Sequence, residues 1–89
     1  MILKIKSGFV VREVAGKSVA VAVGERSRDF RGVITLNETG RTLFDALQSE
    51  TDIDALTALL TREYDVDEDT ARTSALDFIG RVREAGLLE

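Results

Sequence analysis

Over roughly the first third of the chain, apolar and polar residues follow strand-like patterns. Over the rest they recur every third or fourth position. Phe9-Val10-Val11-Arg12-Glu13-Val14 is rich in β-branched residues, and Ala15-Gly16-Lys17 supplies a short turn. Residues 18–23 then alternate, with Val19, Val21 and Val23 on one face and Ala20 and Ala22 on the other. The larger valines are expected to face the core, and the alanines to lie against something close or against solvent. Residues 24–29 are polar and read as a loop. Residues 30–36 form the third predicted strand, with Phe30, Ile34 and Leu36 on one side and Arg31, Val33 and Thr35 on the other. Connections this short predict an antiparallel meander whose third strand is a sheet edge.

The third strand runs without a linker into a helix start. Asn37 is a good N-cap, and Glu38 beside it suits the positive end of the helix dipole. Leu36, Gly40, Leu43, Phe44 and Leu47 recur at helical spacing. A second helix is expected to start at Thr51-Asp52-Ile53-Asp54, which resembles a capping box with Asp in the Glu position. Its apolar face is Ile53, Leu56, Leu59 and Leu60. Asp67 caps a third helix that runs to Ala85 and stops at Gly86. Strands followed by helices, with no repeat or linker, predict one α+β domain spanning residues 1–89.

The third helix carries more apolar surface than one stripe. At about 100° per residue, Ala71, Ala75, Phe78 and Val82 make a narrow core face. Leu76 and Ile79 lie to one side of it, on a flank that also holds Arg72 and Arg83. The opposite flank holds Asp77, Arg81 and Glu84. Leu76 and Ile79 either pack on the sheet or form the wall of a groove that is apolar at its floor and basic at its ends. Such a wall suits an extended peptide mixing apolar and acidic residues.

Composition narrows the chemistry. The 89 residues contain no His and no Cys, so the commonest general base, thiol nucleophiles, disulfides and thiolate metal sites are absent. Asp65, Asp67 and Asp69 resemble the start of a calcium loop, but Thr70 stands where Gly is needed and Leu76 where Glu is needed. Neither an enzyme nor a metal or other cofactor is expected. The net charge of −4 disfavours binding to phosphate backbones, and Asp67-Glu68-Asp69 would point acid at them. No apolar run approaches a membrane span and no signal peptide is evident, so a cytoplasmic protein without nucleic-acid or membrane partners is expected.

The run Gly32-Val33-Ile34-Thr35-Leu36-Asn37-Glu38-Thr39-Gly40, followed by Leu43-Phe44-Asp45-Ala46-Leu47, resembles the hallmark of the PqqD family. Members serve pyrroloquinoline quinone biosynthesis and related pathways as recognition elements of peptide-modifying enzymes. The resemblance continues through Leu59-Leu60-Thr61-Arg62-Glu63-Tyr64-Asp65-Val66-Asp67 and ends in Phe78-Ile79 and Arg83-Glu84-Ala85-Gly86-Leu87-Leu88. It implies a winged helix-turn-helix-like fold: a three-stranded antiparallel sheet followed by three helices. It also implies a non-catalytic peptide chaperone, which binds the leader of a ribosomally made precursor peptide by β-strand addition. The leader would pair with the third strand and lie against the third helix. Carried over, the peptide-binding residues are Phe30, Arg31, Gly32, Val33, Ile34 and Thr35 of the strand, with Arg72, Leu76, Ile79 and Arg83 of the helix. The implied partner is a modifying enzyme, commonly a radical S-adenosylmethionine enzyme. Residues 24–29 are longer than the tight turn of the quinone-cofactor proteins, which favours a relative in another peptide pathway. The alternatives are a winged-helix DNA-binding module, or an oligomerisation module whose edge pairs with itself. Either a monomer or a homodimer is compatible with the sequence.

Overall fold

The computed structural model describes residues 2–29 and 33–89. Three strands, β1 (Phe9–Val14), β2 (Lys17–Ala22) and β3 (Val33–Leu36), form an antiparallel sheet in the order β1-β2-β3. A short helix, α1 (Arg26–Asp29), lies between β2 and β3. Three longer helices follow: α2 (Glu38–Ala46), α3 (Ile53–Glu63) and α4 (Glu68–Glu84). The expected α+β architecture is therefore present, with β3 at one edge. Phe30, Arg31 and Gly32 lie outside the described residues.

The hairpin between β1 and β2 has a two-residue loop, since Val14 pairs with Lys17. Ala15 and Gly16 both have positive φ, 52° and 79°. That is the twist of a type I′ turn, which matches the right-handed twist of the strands it joins. Register then places Phe9, Val11, Ala20, Ala22, Ile34 and Leu36 on one face of the sheet. All six belong to the core or pack against it. The valines of β2 thus take the other face, contrary to the expectation from their size. Alternation separates two faces but does not say which is inner. Here the helices bring the bulk, including Leu43, Phe44 and Phe78, and small residues on the central strand leave room for it. On the outer face Val10, Val21 and Val33 stand side by side across the three strands.

Residues 24–29 are not wholly loop. Ser27 donates its hydroxyl to the Gly24 carbonyl at 2.7 Å, and α1 follows from that turn. Local side-chain-to-backbone bonding of this kind has no apolar periodicity to announce it.

Helices α2 and α4 are capped by the residues the sequence predicts, whereas α3 is capped one residue later than its capping-box pattern predicts. The Asn37 side chain accepts from Gly40 N at 2.7 Å, and Asp67 accepts from Thr70 N at 2.7 Å. For α3 the cap is Asp52, which accepts from Ala55 N. Thr51 is instead taken up by the N-terminal segment. Its N–H donates to Leu3 O and its carbonyl accepts from Leu3 N. Helix α4 ends in a Schellman motif: Leu87 N donates to Val82 O and Gly86 N to Arg83 O, with Gly86 at φ +85°. The reversal turns Leu87 inward and brings residues 87–89 alongside residues 4–6, where Lys6 N donates to Leu87 O and Glu89 N to Lys4 O. Leu3 and Ile5 are thereby buried with Leu47 and Leu87 in the core.

Candidate functional site

Alternate residues of a β-strand direct their backbone N–H and C=O to opposite sides. Val23 N donates to Gly8 O, so in β2 the odd-numbered residues bond towards β1 and the even-numbered ones towards β3. Within β3, Ile34 and Leu36 therefore bond to Ala20 and Ser18, while Val33 and Thr35 direct their backbone groups out of the sheet. The position of Arg81 agrees: its guanidinium donates to the Thr35 carbonyl at 3.1 Å, from outside the sheet.

Beyond this edge runs a shallow groove whose far wall is α4. Its first part is lined by Val33, Ile34, Thr35, Arg81, Glu84 and Ala85. Its second part continues past the end of β3, where Gly40, Leu43 and Phe78 lie below a rim of Asn37, Ser74, Asp77 and Arg81. The Asn37 cap starts α2 immediately after β3, which sets this second part directly in line with the strand. Gly40 packs tightly there: a Cβ at this position would lie 3.3 Å from the Phe78 ring and 3.1 Å from Asn37 Oδ1. Arg81 is the residue common to both parts.

Three of the expected site residues, Val33, Ile34 and Thr35, line this groove. The expected helix wall does not. Arg72, Leu76, Ile79 and Arg83 lie roughly 140 to 180° around the axis of α4 from Arg81. Ile79 is core, 3% exposed. Arg72 reaches α3, where it donates to Asp54 at 2.9 Å and also faces Glu68 at 3.8 Å. Hydrogen bonding to Asp54 pushes the Arg72 pKa up, so this cation is committed to its neighbours. Leu76 is 51% exposed and Arg83 is exposed, both away from β3. A helical wheel finds the flanks of α4 but not which flank meets the sheet edge. That is decided by α3, which packs along the Arg72 side. The flank that meets β3 is the polar one, Asp77, Arg81 and Glu84. Its only sequence signal is position: residues half a turn from the α3 contacts must face the strand.

Among the described residues no group of three or more His, Cys, Asp or Glu is placed to hold a metal ion. No helix of the described residues is long and apolar enough to cross a membrane.

The comparisons with known proteins agree with this architecture. No curated protein matches the chain. Among solved structures it is similar to TbiB1 in complex with the TbiA(beta) leader peptide. The TM-score is 0.73 at 20% identity, over 97% of this chain and 94% of that one, a likeness of fold. A family model described as Coenzyme PQQ synthesis protein D (PqqD) matches residues 18–88, most of the chain, and the chain belongs to the PqqD family.

Proposed function

We propose that this protein is a non-catalytic recognition domain for the leader of a ribosomally made precursor peptide. The leader adds to β3 as a fourth antiparallel strand and lies in the groove against α4. The domain then presents it to a modifying enzyme, a radical S-adenosylmethionine enzyme being the partner its family favours. The observation that carries this reading is the outward edge of β3 beside a preformed groove. Backbone groups of Val33 and Thr35 supply main-chain pairing, and alternate peptide side chains reach the helix side. Each such hydrogen bond contributes only about 0.5 to 1.5 kcal/mol net. Apolar contact with the half-buried Ile34 and Ala85 of the groove must supply much of the rest. Family membership and the likeness to a fold solved with a leader peptide both support the reading.

Charge disfavours the DNA-binding alternative. The start of α4 presents Glu68 and Asp69, and Arg72 behind them is already paired. The test is calorimetric titration with the leader half of a precursor peptide encoded beside the gene, and with duplex DNA, from 50 to 500 mM salt. Saturable peptide binding that changes little with salt is expected. Absence of peptide binding, or DNA binding that falls steeply with salt, would sink the proposal.

A further inference from the structure

The Arg81 guanidinium occupies the acceptor that an added strand would use. We propose that Arg81 is a latch on the β3 edge, closed over the Thr35 carbonyl in the free protein and opened by the incoming peptide. This rests on the strand-addition reading and adds a regulating residue to that same site.

Three observations carry it. The first is the 3.1 Å bond from Arg81 Nη2 to the Thr35 carbonyl, one of the outward-facing groups of a short edge. An antiparallel strand pairing with β3 directs an N–H along the same line, so the two donors compete. The second is that Arg81 makes no ion pair among the described residues, although Asp77 and Glu84 lie one turn away on the same face of α4. Those two carboxylates have no cation among the described residues either. The third is that Arg81 lines both parts of the groove, so its side chain stands where it can swing without leaving the site.

The latch therefore has two resting places on the same residue's reach. Closed, the guanidinium satisfies the Thr35 carbonyl and holds a charge over an exposed edge, a device that discourages pairing with the wrong chain. Open, it turns to Asp77 or Glu84 at i−4 and i+3, spacings at which helix surface charges meet. The peptide N–H then takes its place on Thr35. Strand addition exchanges one bond of Arg81 for another, and this exchange sets part of the affinity.

The test uses twelve-residue peptides selected from a random displayed library on the full chain, retaining those that shift the NMR signals of residues 33–36. Their affinities are measured by fluorescence polarisation for the wild type, R81A, the double variant D77N/E84Q and the combined triple variant. Arg81 is exposed and Ala is a good helix former, so R81A is expected to fold. R81A should bind about two- to tenfold tighter, the range expected for removing one competing hydrogen bond. D77N/E84Q should bind more weakly than wild type, and the loss caused by the same two changes should be clearly smaller in the R81A background. A contact that merely lines the groove would not produce that dependence. Weaker or unchanged binding by R81A overturns the latch while leaving strand addition intact. If the library yields no peptide that shifts residues 33–36, strand addition itself fails and the latch with it.

Discussion

At the scale of single residues the sequence speaks most clearly through its caps and turns. Asn37 and Asp67 cap as their type and position predict, because a side-chain oxygen there satisfies an N–H the helix cannot. The Asp67 cap makes a prediction about acid stability. The Asp67 carboxylate is held below the ordinary aspartate value by the Thr70 backbone N–H and then by the Thr70 side chain. A depressed folded-state pKa stabilises above the unfolded value of about 3.9 and is lost as pH falls through the folded value. Asp67→Asn keeps the capping oxygen and removes the titration. Urea midpoints followed from pH 6 to pH 2 should fall less steeply at the acid end for the variant than for the wild type. Ala15 presents the opposite case, a residue poorly matched to its place. It holds φ 52° in a type I′ turn that favours Asn. Ala15→Asn should stabilise the fold by about 0.5 to 1 kcal/mol, seen as a higher denaturation midpoint. Other single-residue assignments needed three dimensions. The capping-box pattern predicts Thr51 as the cap of α3, but the pairing of Thr51 with Leu3 takes it up and Asp52 caps instead.

At the scale of elements, the strands and the three longer helices were legible because their periods differ, while α1 was not. Which way each element faces was less so. The β2 alternation identifies two faces, and the bulk of Leu43, Phe44 and Phe78 on the opposing layer decides that the alanines go inward. The same limit applies to α4. Its core stripe of Ala71, Ala75, Phe78 and Val82 follows from spacing, whereas the groove flank depends on where α3 lies. The two flanks give different expectations for one substitution. Leu76 is exposed on the flank away from β3, so Leu76→Asp should leave peptide affinity within error of wild type, with only a small fall in thermal midpoint from the poorer helix propensity of Asp. A large loss of affinity with the fold intact would restore the Leu76 flank as the binding wall.

At the scale of the whole molecule, the chain brings its ends together to close the core beneath the sheet. The alternation of Leu3 and Ile5 with Lys4 and Lys6 carries that role in the sequence, yet a segment this short does not declare its partners. They are residues 87–89, delivered by the Gly86 reversal, and Thr51. The result leaves β3 at an edge, fixed against α2 by the Asn37 cap and flanked by α4. Strand addition on that edge is the main functional consequence, and amide hydrogen exchange on the free and peptide-bound protein tests it most directly. Ile34 and Leu36 already bond to β2 and should be protected in both states. The Val33 and Thr35 amides point outward and should exchange quickly in the free protein, then become protected when the leader binds. Saturable leader binding that leaves Val33 and Thr35 exchanging as fast as before would contradict it.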